Sequence, residues 1–251
     1  MIQGIYQSAA AADVMQTWND VIARNIAAST TPGYKLDAVS FGSKVTGSMG
    51  FQLSPNRAVE LPVMTPTVNT VTKFDPGPLR RSDNPYEFAI DGTGFFRVQR
   101  PDGNFVYTRN GTFHLSSDGQ LVNQSNYPVM GESGPIQLLI DGGPISVNAE
   151  GRVMQGDQEV GALTVYGFND PSSLQRTAGG FVVDPNNPQF PLPQENAHVV
   201  QGAVEESNVS SIRQMVELVE VSNSLQANQK VIQSIDDLLE RTVQVLGGPN
   251  V

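Results

Sequence analysis

Residues 203–246, AVEESNVSSIRQMVELVEVSNSLQANQKVIQSIDDLLERTVQVL, contain neither Gly nor Pro. Within them Leu218, Val221, Leu225, Asn228, Ile232, Ile235, Leu239, Thr242 and Leu246 step by three and four in strict alternation, the spacing of a helical stripe and of a heptad seam. Seven of these nine positions are apolar, which predicts coiled-coil packing, and Asn228 is a polar seam residue of the kind that fixes register at a cost in stability. A second file of Ile212, Met215 and Val219 opens the helix, and Ser207 or Asn208 is the expected cap. Fully helical, the segment would reach ~66 Å at 1.5 Å per residue, more than a domain of this mass needs. The alternative is a long helix folded back as an ordinary core element.

Working outward, the other end of the chain is the second stretch free of breakers, with no Gly or Pro between Ile5 and Thr31. Ile5, Ala9, Ala12, Met15, Trp18, Ile22 and Ile26 recur at helical spacing, opposite Gln7, Asp13, Gln16, Asp20 and Arg24. Pro32-Gly33 would end this amphipathic helix, whose stripe is narrow and partly built from alanine. Between the two ends, residues 32–202 hold 21 of the 24 Gly and 16 of the 17 Pro, so a long helix is excluded there.

The middle reads as β-structure. Runs at 95–100, 105–109, 112–115 and 121–122 are separated by Asp102-Gly103, Asn110-Gly111 and Asp118-Gly119, dipeptides that favour tight turns because both residues can take positive φ. Runs at 136–140, 145–147, 152–154 and 160–168 are separated by Asp141-Gly142-Gly143, Glu150-Gly151 and Gly156-Asp157. Successive hairpins are the economical arrangement. Pro185, Pro188, Pro191 and Pro193 mark an extended connector, and residues 36–75, weak in periodicity and rich in Ser, Thr and Pro, are expected to be extended or partly mobile.

The 251-residue chain has a net charge of −10, no Cys and two His, His114 and His198. The acidic balance disfavours nucleic acid as a partner, and the absence of Cys removes disulfides, thiolate metal sites and cysteine nucleophiles. No window is long and apolar enough to span a membrane. No Lys or Arg precedes Arg24, so a cleaved secretory signal is not expected. Asp91, Asp102, Asp118 and Asp141 each precede Gly and read as turn residues rather than calcium ligands. Gly92 and Gly94 begin a dinucleotide-type fingerprint that fails at Arg97. His114 is expected to be a hydrogen-bonded structural imidazole, Arg80-Arg81 a solvated or interface pair, and Asp236, Asp237, Glu240 and Arg241 a charged helix face. No catalytic residue, cofactor, metal site or small-molecule substrate follows.

Asn25-Ile-Ala-Ala-Ser-Thr-Thr-Pro-Gly-Tyr-Lys35 resembles the N-terminal signature of bacterial flagellar rod and hook proteins. Glu206-Ser-Asn-Val209, with the following helix carrying Asn228, Lys230 and Asp236, is similar to their C-terminal signature. Ala89-Ile-Asp-Gly-Thr-Gly-Phe-Phe96, Tyr107-Thr-Arg-Asn-Gly-Thr-Phe113 and Gly119-Gln-Leu-Val122 are similar to the family's central β-motif. The resemblance implies a structural subunit of the basal-body rod, exported through the flagellar type III apparatus without a cleaved signal and polymerised in the periplasm with other rod proteins and copies of itself. The expected fold is a mainly β central domain with long N- and C-terminal helices that pack as a coiled coil. Its expected divisions are 1–31 for the N-terminal helix, 32–75 for the linker, 76–202 for the β-rich domain and 203–251 for the C-terminal helix.

Ile22, Asn25, Ile26, Leu218, Val221, Leu225, Asn228, Ile232, Ile235 and Leu239 are the expected subunit-interface residues, with Asn25 and Asn228 setting register. Pro32, Gly33, Tyr34, Ser207, Asn208 and Val209 are the expected junctions between helix and linker. The rival from another class is an enzyme acting on cell-wall glycan, with Asp91 and Asp102 as candidate carboxylates.

Overall fold

A computed structural model of the chain describes residues 2–54, 57–140, 142–194 and 197–246. Asp141 and the side chains of Ile5 and Leu246 lie outside the described residues. The chain divides into two compact units: Met1–Ala27 with Asp37–Val71 and Ser210–Val251, and Ala28–Leu36 with Thr72–Val209.

The first unit contains helix α1, Ile2–Ala27, helix α2, Ser211–Leu246, and a two-stranded ribbon of Asp37–Ser54 and Arg57–Thr72. The passage expected to be extended is therefore largely paired ribbon. Trp18 of α1 meets Phe41 of the ribbon edge-to-face, with ring centroids 5.0 Å apart.

The expected coiled coil is not what forms. These are the only two α-helices among the described residues of a mainly β chain, and they are unequal in length, 26 and 36 residues. Val221 alone of the described seam positions is buried; Leu218, Leu225, Asn228, Ile232, Ile235 and Leu239 are half-buried, and Thr242 is exposed. A two-stranded coiled coil needs matched large knobs from both partners along its length. The N-terminal half of α1 answers α2 with Ser8 and a run of alanines, so interdigitation gives way to shallow contact. The cap also differs from expectation, since α2 starts at Ser211 and the Ser210 carbonyl accepts from Gln214 N–H.

In the second unit a five-stranded antiparallel sheet runs in the order Gln175–Thr177, Gly180–Val182, Phe105–Thr108, Phe96–Gln99 and Val129–Met130. Alternation along a strand sends successive side chains to opposite faces. Phe96, Val98 and Val106 thus join Phe88, Phe113, Leu121, Val153 and Val199 in the main core. Phe95 and Tyr107 join Tyr166, Leu174 and Phe181 in a smaller aromatic cluster, where Tyr107 and Phe168 meet edge-to-face at 4.8 Å. Beside the sheet, Ile145–Val147, Arg152–Gln155 and Gln158–Ala162 form the expected meander. The returning chain closes the unit, because His198–Gln201 pairs with Phe88–Asp91 and Ala203–Glu205 pairs with Leu79–Arg81.

One turn recurs four times. At Arg100–Asn104, Ser116–Gln120, Asn123–Tyr127 and Asn148–Arg152, the first residue's N–H donates to the fifth residue's carbonyl, and the fourth residue's N–H donates back to the first residue's carbonyl. The fourth residue is Gly103, Gly119, Asn126 or Gly151, each with positive φ. This is the three-residue hairpin loop with a left-handed bulge residue. Asp102 and Asp118 were expected to share the positive φ, and they do not; Asn126 is the only non-glycine residue with positive φ among the described residues. Asp102 instead accepts the Asn104 N–H at 3.0 Å, a bond that holds its carboxyl below the usual range. Gly111 answers a different need, since a Cβ there would lie 1.8 Å from the Phe88 carbonyl oxygen.

Candidate assembly site

Two sets of residues expected to matter are each gathered within one unit. In the first unit, α1 and α2 run in opposite directions, since Asn25 bonds Gln214 near one end and Asn228 Nδ2 donates to the Ser8 carbonyl at 2.8 Å towards the other. Asn25 is buried. Its Nδ2 donates to the Asp37 carbonyl at 2.8 Å and to Gln214 Oε1 at 3.0 Å, while its Oδ1 accepts the Asp37 N–H at 3.1 Å. An amide with both ends engaged is strongly directional, so it ties helix, ribbon and second helix together within the chain. Ile22 is buried next to Val21, and Ile26 is half-buried.

The opposite side of α2 carries apolar groups that α1 does not cover. Ile212 is 77% exposed, and Met215, Val216 and Val219 are each more than half exposed. Their spacing puts them on one file, whose mean direction lies well over a quarter-turn around the helix from that of Leu218, Val221 and Leu225. Val231 and Leu238 are exposed on its flank. Asp236, Asp237, Glu240 and Arg241 are exposed as well.

In the second unit, the expected junction residues converge on a buried ion cluster that the sequence did not disclose. Lys35 Nζ and Arg109 Nη1 both bond Glu205, through Oε1 and through Oε2 at 3.1 Å, with side-chain exposures of 1%, 3% and 0%. Lys35 Nζ also donates to the Asp75 carbonyl at 2.8 Å. Arg109 donates to the carbonyls of Ile90 at 3.3 Å and Gly92 at 2.7 Å, and Gly77 N–H donates to Glu205 Oε1 at 2.8 Å. Around this cluster Asn208 fastens two passages: its Oδ1 accepts Leu36 N–H at 2.7 Å, and its Nδ2 donates to the carbonyls of Lys73 at 3.1 Å and Asp75 at 2.9 Å. Ser207 Oγ accepts Val209 N–H. Arg176 donates to the Lys35 carbonyl at 2.6 Å and lies over the Tyr34 ring at 4.5 Å.

Two cations thus share one carboxylate out of contact with water. Burial pushes the Lys35 ammonium below the usual lysine range against the pull of Glu205, and burial lowers Arg109 in the same way. Gly33 makes the close approach possible. Its φ is +69°, its N–H donates to the Glu205 carbonyl at 2.7 Å, and a Cβ would lie 2.3 Å from Asn110 N. Pro32-Gly33-Tyr34 is therefore seated directly on the Arg109-Asn110 backbone.

The residues weighed for catalysis are not assembled. Asp102 and Asp118 lie in separate turns, Asp91 is exposed at a strand end, and His114 is an exposed strand residue rather than the bonded structural imidazole expected. Among the described residues no group of three or more His, Asp or Glu could hold a metal ion. Arg80 pairs with Glu206 at the surface, at 3.1 Å, a contact worth about 0–1 kcal/mol.

Comparison with known proteins agrees with this arrangement. Residues 89–155 match the family model described as the flagellar hook protein FlgE/F/G D1 domain, and residues 200–245 match the flagellar basal body rod FlgEFG protein C-terminal model. Arg109 falls in the first match and Glu205 in the second. The chain is 27% identical to the flagellar basal-body rod protein FlgF of Mesorhizobium japonicum, over 98% of this chain and 99% of the relative. It is 29% identical to the flagellar basal-body rod protein FlgG of Buchnera aphidicola, over 98% and 100%, and 29% identical to FlgF of Caulobacter vibrioides, over 92% of each chain. Both family models and these end-to-end alignments point the same way: along nearly its whole length the chain is similar to flagellar basal-body rod proteins.

Proposed function

We propose that this chain is a structural, non-enzymatic subunit of the bacterial flagellar basal-body rod. The observation that carries this reading is the end-to-end alignment with rod proteins, over 98% of the chain. The uncovered apolar file of α2 supplies a physical reason for assembly: Ile212, Met215, Val216 and Val219 are exposed and would gain burial against another chain. Contacts between unlike patches that do not close into a ring generate a helical filament.

Within that reading the partners are other rod proteins and copies of this chain, and the half-buried seam of α2 together with Ile26 contributes to the subunit interface, whereas Ile22 is already buried within its own chain. The Ile5-Tyr6 opening and Gly131-Glu-Ser-Gly-Pro-Ile136 resemble the proximal rod protein most, with the distal rod protein as the alternative. The route is export through the flagellar type III apparatus, and the site of polymerisation is the periplasm.

Deleting residues 210–251 tests the proposal. The cut leaves 28–36 and 203–209 in place, because these segments belong to the second unit. In cells lacking the intact gene, the shortened chain is expected to be absent from isolated basal bodies and to leave the cells non-motile. Normal motility with the shortened chain would remove the basis of the proposal.

A further inference from the structure

The Lys35–Glu205–Arg109 cluster sits where both ends of the sequence meet the middle: its members are separated by 170 and 96 residues along the chain. The second unit exchanges chain with the first next to Ala28, Leu36, Thr72 and Val209, and the segments bordering these points are the ones the cluster fastens. Gly33 N–H reaches the Glu205 carbonyl, Lys73 N–H the Leu36 carbonyl at 2.7 Å, and Asn208 N–H the Tyr34 carbonyl.

We propose that Lys35, Glu205 and Arg109 form an electrostatic clasp that closes only when both ends of the chain are in place, with Glu205 as its keystone because it alone opposes two buried cations. This goes beyond the rod assignment and does not depend on it, since it concerns the isolated chain. The charge count gives the clasp a signature that ordinary core packing lacks. Removing Lys35 leaves Arg109 and Glu205 as a balanced pair. Removing the charge of Glu205 leaves two cations buried beside each other without a counter-charge, the costlier defect. The two losses are therefore not additive: taking away Lys35 relieves part of the damage done at Glu205. Asp75, the other acidic group facing Lys35, is exposed and uses its backbone carbonyl rather than its carboxylate to bond the ammonium.

The experiment is amide hydrogen exchange on the full chain carrying Lys35→Met, Glu205→Gln, or both. Glu205→Gln is expected to speed exchange at the amides of Gly33, Lys73 and Asn208 by about a hundredfold, and Lys35→Met by less than about tenfold. The double variant falls between them. Ile136 and Leu163, whose amides bond within the β-region, change little in any variant. If Glu205→Gln yields no folded chain, recovery of folded chain on adding Lys35→Met is the same result read as yield. Equal effects of the two single changes, acceleration spread evenly to Ile136 and Leu163, or no rescue in the double variant would overturn the clasp.

Discussion

Gly33→Ala is expected to destabilise the second unit by at least about 3 kcal/mol, although it adds a single methyl group. Two effects combine. An L-residue at a φ of +69° costs ~1 kcal/mol relative to glycine. The larger part is steric, because the new Cβ would stand 2.3 Å from Asn110 N and 2.4 Å from Arg109 C. Those are backbone atoms with no rotamer to yield, and they adjoin a guanidinium tied to Glu205, Ile90 and Gly92. Relief requires moving the 32–34 turn away, which breaks the Gly33 N–H bond to the Glu205 carbonyl. Gly103→Ala is the control. Gly103 has a φ of +83° but nothing within 4 Å of a Cβ, so that change isolates the conformational cost at ~1 kcal/mol. Urea unfolding of both variants decides it, and equal losses would mean the close approach at Gly33 is absent in solution.

The second large effect is on assembly rather than folding. Ile212→Asp with Val219→Asp places two carboxylates on the uncovered file of α2, where both native side chains are already exposed. The monomer's melting is expected to stay within about 0.5 kcal/mol of the parent for each substitution, as surface changes usually do. Incorporation into basal bodies is expected to fail, because a carboxylate buried without a partner at an apolar interface costs several kcal/mol. Val221→Asp gives the opposite pattern. Val221 is 1% exposed, so its replacement destabilises the monomer itself. If the Ile212/Val219 variant melted as early as the Val221 variant, the file would be an internal face; if it melted normally and entered rods, it would not be the assembly surface.

The parts of this architecture legible in the sequence are those set by local rules. Absence of Gly and Pro located both helices, and three-four spacing separated the stripe of Leu218, Val221 and Leu225 from the file of Ile212, Met215 and Val219. What such spacing does not encode is the partner. A heptad stripe specifies a side of a helix, and in this chain that side meets the Ser8 and alanine stretch of α1, which is too small to interdigitate as a coiled coil. Glycine at the turns was readable because only glycine, or Asn126, takes the left-handed position cheaply. Asp102 was readable as a turn residue, but its side chain, rather than its φ, makes the turn.

Non-local pairing left no comparable mark. Nothing near His198 or Ala203 states that these strands return to Phe88–Asp91 and Leu79–Arg81. Lys35, Arg109 and Glu205 each look like surface charges in their own neighbourhoods. Glu205 has Glu206 beside it, yet one is buried with two cations and the other is exposed. The one available signal was their company, since Lys35 and Arg109 lie inside the quoted signatures and Glu205 immediately precedes the third. Asn208 was legible as a junction residue but not as a fastener, because its amide is engaged with Leu36, Lys73 and Asp75, far away in sequence.

The absence of native cysteine permits a direct measurement of the central idea, that the outer file of α2 is covered by neighbouring chains. Val219→Cys introduces a single thiol at a position 59% exposed in the isolated chain. A maleimide should label it rapidly in the purified monomer and at least about a hundredfold more slowly in isolated basal bodies, where a short bifunctional reagent should join it to adjoining rod subunits. Undiminished labelling in assembled basal bodies would show that this face remains open to water in the rod, and burial of the α2 file could not then be what drives assembly.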